Sequence, residues 1–361
     1  MGDGKNRLWL VAAVALAAIS LLGACEKNNY HASAGKIESY YLTGSPETQE
    51  NLQDLFSLLA QENATPLDQF AAAREIANIY ARLKEYNRLV HFITARAINN
   101  PDDQYNSYYL LMAAYAYLQM GAAPVAAQYF DLIVKNYPDL AINGESIHLA
   151  CLRQLIELAA KPEQQVFYYQ ELISRFPDKI NLGTAYFKLG QAYERIGEWG
   201  SAIKAYTQYL PYTGTIISGF PNADTYAKQQ VDFSKSSKDW TYENLPALLR
   251  AVRSALDEGS PYRLRRCQAK VNFFARSWEQ EETDVVGMAD FSLSDFMRGN
   301  RIRYADKLDE ASNATEAYLR TWGWSDYIPI WYLYFRKIYF PSDPEIHGRW
   351  EWAGVFYGEK F

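Results

Sequence analysis

The chain has 361 residues, a formal net charge of −6 and a hydrophobic fraction of 49%. This length allows two domains of ordinary size, and the hydrophobic fraction favours packed cores over long disorder. Nucleic acid is excluded as a partner, because phosphate contacts need clustered Lys and Arg and this acidic chain has no basic block.

The N-terminus has the order of a secretory signal. Lys5 and Arg7 supply positive charge, and residues 8–22 form an apolar run. That length and order are typical of a signal peptide and are too short to span a bilayer comfortably. The run ends in Leu-Gly-Ala-Cys at residues 22–25, so that small residues precede a cysteine.

This ending resembles the lipobox of bacterial lipoproteins. The resemblance implies that residues 1–24 are removed and that Cys25 is acylated, which anchors the chain to a membrane in the bacterial cell envelope. In lipoproteins of the enteric kind, an Asp after the cysteine retains the protein in the inner membrane. Glu26 stands there instead, which implies the outer membrane, facing the periplasm. An ordinary signal peptide with a chance cysteine is the alternative.

Residues 25–44 are polar and lack a period, and we interpret them as a tether. A helix is then expected to begin at Ser45, with Ser as N-cap, Pro46 in the first position and Glu47 in the first turn. Its apolar spacing predicts a helix that ends near Gln61.

The next part of the chain repeats itself. Three segments end in similar patterns around Pro101, Pro138 and Pro177, which lie 37 and 39 residues apart. A period of this length with two helical patterns per unit predicts a solenoid of helical hairpins. A helical bundle without repeats is the alternative.

The fourth unit resembles the tetratricopeptide repeat. We expect Gly190 and Ala202 to be small because two helices cross there, and Gly197 to adopt a positive φ at the turn. The resemblance covers about residues 66–214, and we assign 45–214 to tetratricopeptide-like repeats. The matching positions are Leu189, Gly190, Tyr193, Gly197, Trp199, Ala202 and Tyr206.

The C-terminal half is predicted to be helical, which makes the fold class mainly all-α. Residues 215–240, rich in Pro, Gly and Ser, are interpreted as a connecting loop with a possible helical turn. Residues 241–361 are interpreted as a helical, aromatic-rich region, either a separate domain or degenerate repeats. Apolar spacing predicts helices over 260–278 and 301–320. Partial alternation at 349–357 allows a terminal strand or hairpin.

Aromatic residues accumulate at the C-terminus, where five of the nine tryptophans lie in the last 40 residues. The pairs Trp322/Trp324 and Trp350/Trp352 would each share one face of a strand. We expect these rings to cap the end of the repeats. A protein-binding surface and a platform that stacks on glycan are the alternatives.

The first helix of each hairpin is the candidate for a partner-binding groove. If the geometry of the resembled family applies, these helices line a concave face whose rings, amides and charges suit an extended peptide or a partner helix. The expected groove residues are Arg74, Asn78, Arg82, Tyr108, Leu111, Tyr115, Gln154, Glu157, Phe187, Gln191 and Glu194.

Signatures of catalysis are missing from the sequence. The four histidines lack zinc spacing, and there is no C-x-x-C, no G-x-S-x-G and no Gly-rich phosphate loop. We therefore expect no enzyme activity, no metal and no cofactor. Cys151 and Cys267 lie on apolar helix faces and are expected to be buried free thiols, with a disulfide as the alternative.

The sequence thus predicts a lipid-anchored periplasmic scaffold that binds proteins during envelope assembly or within an envelope complex. A lipoprotein that binds glycan or small solutes through its aromatic C-terminus is the alternative. An envelope hydrolase with its site in residues 241–361 is a third, weaker interpretation.

Overall fold

The structure, a computed structural model, describes residues 39–280 and 292–360. The chain divides into two compact units, with the boundary between Leu158 and Ala159. The predicted signal peptide and lipidation site, Cys25, lie outside the described residues. No helix within the described ranges is long and apolar enough to cross a membrane.

Unit 1 is built from antiparallel helices. Each helix packs against the next, and the alternate helices α2, α4 and α6 also pack side by side. The elements are α1 (Pro46–Leu59), α2 (Pro66–Arg82), α3 (Tyr86–Asn99), α4 (Asn106–Gln119), α5 (Ala123–Asn136), the short strands β1 (Ala141–Ile142) and β2 (Glu145–Ser146), and α6 (Ile147–Leu158).

Local chemistry sets where the first helices begin. Ser45 caps α1 as expected, because its hydroxyl accepts a hydrogen bond from the Thr48 amide. Thr65 and Asp68 form a reciprocal capping box at α2. In both helices a proline occupies the first position, where a missing N–H costs nothing. The predicted end of α1 near Gln61 is two residues too late.

The segment before α1 is packed against unit 1 from Ser39 onward. Tyr41 is buried, and its hydroxyl lies 2.5 Å from Nδ1 of His91. Its carbonyl accepts a hydrogen bond from the Tyr80 hydroxyl, and Arg88 Nε donates to the Tyr40 carbonyl. The predicted tether, 25–44, is therefore too long at its C-terminal end.

Within the described residues, unit 2 has six α-helices before its first strand and ends in a sheet. Its elements are α7 (Pro162–Arg175), α8 (Leu182–Arg195), α9 (Trp199–Tyr209), α10 (Ala223–Lys235), α11 (Leu245–Asp257), α12 (Pro261–Cys267), β3 (Phe274–Ser277), α13 (Leu293–Met297), β4 (Arg303–Tyr304), β5 (Glu316–Trp322), β6 (Ile330–Lys337) and β7 (Trp350–Tyr357).

The hairpin of α8 and α9 has the close crossing that its small residues predict. A Cβ on Gly190 would lie 2.5 Å from the Tyr206 ring, so only glycine fits there without a shift. Ala202 is buried in the same interface. Gly197 has a φ of 77°, which confirms the positive φ expected where α8 ends.

Residues 215–240 are not a simple connecting loop, because they contain the 13-residue helix α10. Phe233 of α10 stacks on Phe340 with ring centroids 5.4 Å apart. Trp240 is fully buried and its indole N–H donates to the carboxylate of the buried Glu351 at 2.8 Å. This stretch is part of a hydrophobic core.

The C-terminal region is a mixed α/β structure, which corrects the all-α prediction. Its sheet has the order β3-β7-β6-β5-β4, with β3 parallel to β7 and the other neighbours antiparallel. One face packs on α11, α12 and α13. The opposite face, here called the aromatic face, carries Phe274, Tyr318, Tyr332, Tyr334 and Phe356.

Two predicted helices in this region are wrong. The helix expected over 260–278 ends at Cys267, and Phe274 begins β3 instead. The helix expected over 301–320 is replaced by β4, a loop and most of β5. In β5 alternate residues are buried, a period of two that favours a half-covered strand. The strand allowed at 349–357 is confirmed as β7.

Candidate functional site

The predicted groove residues of unit 1 lie on the three helices that pack side by side. Arg74, Asn78 and Arg82 are on α2, and Tyr108, Leu111 and Tyr115 are on α4. Gln154 and Glu157 are on α6. Each of these eight side chains is at least partly exposed. A solvent-facing surface therefore runs across α2, α4 and α6; we call it the unit 1 groove.

Aromatic rings give the unit 1 groove a rigid end. The Arg74 guanidinium lies 5.6 Å from the centroid of the Phe70 ring. Phe70 also contacts Tyr108 edge-on at 5.2 Å, so that one ring positions both exposed side chains. Burial raises the pKa of Tyr108 above its ordinary value, and the Arg74 charge partly opposes that rise.

Other groove side chains are held by neighbours on their own helix or on the next one. Arg82 forms an ion pair with Glu75 at 2.9 Å, and Asn78 donates a hydrogen bond to the same carboxylate at 3.4 Å. On α4, Tyr115 is 38% exposed and contacts Phe130 edge-on at 5.4 Å. The surface therefore offers a cation, an amide and a phenol for contact with a ligand.

The α8 positions differ from the prediction. Phe187 is fully buried, because Phe220 from the following segment packs against its ring at 5.0 Å. Glu194 is half-buried and accepts a hydrogen bond from the Tyr226 hydroxyl at 2.8 Å, while Gln191 stays partly exposed. Burial raises the pKa of Glu194, against the lowering effect of Tyr226. Phe187 is therefore a core residue and lines no groove.

A family model of the tetratricopeptide repeat matches residues 108–140 and 184–210. The first match spans α4 and α5, and the second spans α8 and α9. The helical hairpins are tetratricopeptide-like repeats. Repeats of this kind indicate a scaffold for protein–protein interaction. No curated protein matches the chain.

The four C-terminal tryptophans do not form an aromatic platform for glycan. Trp324, Trp350 and Trp352 are at most 6% exposed, and Trp322 is half-buried. Gly323 has a φ of 92° and turns the chain between the first pair, so that Trp322 and Trp324 do not share a strand face. Because buried ring faces cannot stack on sugars, this prediction is wrong for three of the four residues.

These tryptophans do not cap the tetratricopeptide-like repeats either. Trp324 stacks on Trp331 at 4.4 Å, and both belong to the core between the sheet and α11 to α13. The contact with the repeat helix α9 is made elsewhere, by a cluster that includes Ile203, Trp240 and Ile338. The buried tryptophans stabilise the core of the C-terminal region.

Cys151 and Cys267 are free and buried, as expected. Burial raises the pKa of Cys151 to about 12, with a further rise from the Asp139 charge. Burial also raises the pKa of Cys267. Neither residue has the accessible thiolate that a nucleophile needs. Within the ranges the structure describes, no three His, Cys, Asp or Glu side chains converge as a metal site.

The aromatic face of the sheet was missed by the sequence analysis. Arg276, which falls within the helix expected over 260–278, lies on β3 beside Phe274. The alternation of polar and apolar residues in 316–320 was the available signal, since it has the period of a strand.

Proposed function

We propose that this chain is a lipid-anchored scaffold whose tetratricopeptide-like repeats bind protein partners in a bacterial cell envelope. The anchor is lipid on Cys25, and the location is the periplasmic side of the outer membrane. The protein serves envelope assembly or an envelope complex and has no catalytic activity of its own.

The unit 1 groove is the observation that carries the proposal. Helices α2, α4 and α6 pack side by side and present Arg74, Tyr108 and Tyr115 to solvent. Tyr and Arg are the residue types enriched where proteins bind, because they offer large contact area together with a polar end. A partner helix or extended segment fits such a surface.

The groove can be tested by affinity purification from membranes. A Tyr108→Ala/Tyr115→Ala variant removes two exposed rings from α4. Ile98→Ala/Leu132→Ala is the matched control, because Ile98 and Leu132 are exposed apolar side chains on the outer helices α3 and α5, 76% and 38% exposed. We expect a partner that the wild type and the control retain and the groove variant loses.

Two results would contradict the scaffold. One is that no protein is enriched over an unrelated lipoprotein. The other is that the groove variant retains every partner while its circular dichroism spectrum matches that of the wild type.

The anchor has its own test. Metabolic labelling with an alkynyl palmitate analogue should label the wild type, and Cys25→Ala should abolish the label and release the protein from membranes. Glu26→Asp should move the protein from outer-membrane to inner-membrane fractions in a density gradient. Equal labelling of wild type and Cys25→Ala contradicts the anchor, whatever the groove binds.

The chemistry of the chain supports a role without catalysis. The sequence contains no C-x-x-C, no G-x-S-x-G and no Gly-rich phosphate loop, and the two described thiols are buried with raised pKa values. An enzyme would need converging titratable groups in an open pocket. The proposal of no catalytic activity would be overturned if the purified protein hydrolysed peptidoglycan or ester substrates and mutation of a single residue abolished that activity.

A further inference from the structure

The aromatic face of the C-terminal sheet contains a cavity of about 440 Å³, here called the sheet cavity. This size lies in the range of about 300–1,000 Å³ that small-molecule sites occupy. Four strands contribute to it, among them β3 with Phe274 and Arg276, β5 with Glu316 and β6 with Tyr334 and Arg336. It is separate from the unit 1 groove and independent of the proposed scaffold function.

The floor of the sheet cavity is aromatic and fixed. Phe274 pairs with Gly354 across the two parallel strands, and a Cβ on Gly354 would lie 2.6 Å from the Phe274 ring. The ring therefore lies against the bare backbone of β7. Phe274 also contacts Phe356 at 5.1 Å, and Trp278 stacks on Phe356 at 4.3 Å. These contacts leave the floor little freedom to rearrange.

Arg276 lies above this floor, and none of the ion pairs among the residues that the structure describes involves it. Its guanidinium carbon lies 4.5 Å from the centroid of Phe274 and 5.3 Å from that of Phe356. Its Nε is buried and has no hydrogen-bond partner among the residues the structure describes. A buried N–H without an acceptor costs about 1–3 kcal/mol, so this side chain has donor capacity that the fold leaves unused.

Arg336 has spare donor capacity as well. Its Nε donates to the buried Glu351 at 2.9 Å, which fixes the side chain. One terminal nitrogen is buried with no partner within the described ranges. The carboxylate of Glu316 is engaged by the hydroxyl of Tyr334 at 2.8 Å and, more weakly, by that of Tyr318 at 3.5 Å.

The lining of the sheet cavity is cationic in an acidic protein. Arg276, Arg336 and Lys337 are the cationic residues of the lining and Glu316 is the acidic one, whereas the whole chain has a net charge of −6. Arg336 is paired with the buried Glu351, so the positive charge available to a ligand lies on Arg276 and Lys337. Such a site attracts anions, and a guanidinium binds a carboxylate through charge-assisted, geometrically specific hydrogen bonds.

We propose that the sheet cavity binds a small ligand that carries a carboxylate on a ring, with the carboxylate on Arg276 and the ring against Phe274 and Tyr318, the partly exposed aromatic residues of the lining. The ring can be that of an acidic sugar or of an aromatic acid. Both present an apolar ring face to the aromatic side chains and one negative charge to the guanidinium.

Isothermal titration calorimetry with matched probes tests the site. Glucuronate and benzoate carry the ring carboxylate, and glucose and benzamide are their uncharged counterparts. At least one acid should bind with one-to-one stoichiometry and about tenfold or more tightly than its counterpart, because charged hydrogen bonds are the stronger ones. The acid that binds identifies the ring. Trp278 fluorescence provides a second signal.

Variants distinguish a specific role of Arg276 from a general effect of positive charge on binding. Arg276→Gln should reduce the affinity about tenfold or more. Arg263→Gln should leave it unchanged, because Arg263 is exposed on α12 and paired with Glu258. Lys337→Gln, a change at an exposed residue that the fold tolerates, should weaken binding severalfold and serves if Arg276→Gln does not fold.

Three outcomes overturn the proposal. They are the absence of binding by both acids, equal binding of an acid and its uncharged counterpart, and unchanged binding in both Arg276→Gln and Lys337→Gln.

Discussion

The tetratricopeptide-like repeats and the C-terminal sheet region hold their residues together over different distances along the chain. In the hairpin of α8 and α9, Gly190 meets Tyr206, 16 residues later. In the sheet region, Trp240 bonds Glu351 across 111 residues and Trp278 bonds the Gly358 carbonyl across 80. The repeats are held together by contacts between residues that are close in sequence. The sheet region is held together by contacts between its N-terminal and C-terminal parts.

This difference has consequences for stability. In repeats, each hairpin contacts mainly the next one, so a substitution changes the stability of its own hairpin and its neighbours. In the sheet region, strands β3 and β7 come from distant parts of the chain and share one core, so that a change there affects the whole region. Most described tryptophans lie in the sheet region and only Trp199 lies in a repeat helix, which lets fluorescence follow the sheet separately.

The largest effect is expected from Trp352→Ala. Trp352 is fully buried in the core between sheet and helices, and removing a large core ring costs about 3–5 kcal/mol. Denaturant unfolding followed by tryptophan fluorescence should shift accordingly. Tyr327→Ala is the control, because Tyr327 is 97% exposed and should change little. Equal stability of the two variants would show that the sheet lacks the shared core described above.

Gly190→Ala should have the next largest effect and should stay within the repeats. The added Cβ collides with the Tyr206 ring, and overpacking of this kind costs about 1–3 kcal/mol. Circular dichroism at 222 nm measures the loss of helical stability. Gly200→Ala on α9 is the matched control, because a Cβ there meets nothing within 4 Å and should stabilise by about 0.4–1 kcal/mol.

A double-mutant cycle sharpens this prediction. In a Tyr206→Ala background the collision partner is gone, so that Gly190→Ala should cost little more. If the cost of Gly190→Ala persists there, the close crossing is not its cause.

The buried thiol of Cys151 should make stability depend on pH. Its pKa is raised from 9.0 to about 12 in the folded protein, so that above pH 9 the unfolded chain releases a proton that the folded chain keeps. Stability is then lost as the pH rises, by up to about 1.4 kcal/mol per unit between pH 9 and 12. The stability difference between wild type and Cys151→Ala, measured at pH 8 and 10, should shift by about that amount. A constant difference contradicts the raised pKa.

The smallest effect is expected from Arg82→Ala. The Arg82–Glu75 pair is open to solvent, with the two side chains 66% and 40% exposed. Exposed pairs contribute about 0–1 kcal/mol, and salt screens them. Thermal unfolding should shift little in low salt and not at all in high salt. A larger loss would mean that groove charges stabilise the repeats as well as face a ligand.

The sequence predicts the repeats well because each rule there is local. Gly190 predicts a close helix crossing and Gly197 predicts a positive φ, and the structure has both features. The sheet was missed because strand pairing depends on residues far apart. In 301–320, apolar residues at helical spacing concealed the alternation of β5, and β6 is buried on both faces and shows little alternation.

The groove was partly predictable for the same reason. Positions on α2, α4 and α6 follow from helical periodicity, and each of the eight side chains there is at least partly exposed. Phe187 was misplaced because Phe220, one of the rings that cover it, comes from a segment without any period. No rule of helix spacing applies to such a segment.

If the proposed anchor exists, the burial of Tyr41 limits how far from a bilayer unit 1 can lie. With lipid on Cys25, as proposed, 14 peptide units separate the anchor from Ser39, a contour length of at most about 50 Å. The contacts of Tyr40 and Tyr41 with α3, and not residue 44, end this free length. Shortening the chain before Ser39 would draw unit 1 toward the lipid headgroups, whereas changes at 42–44 would leave the height of the protein unaltered.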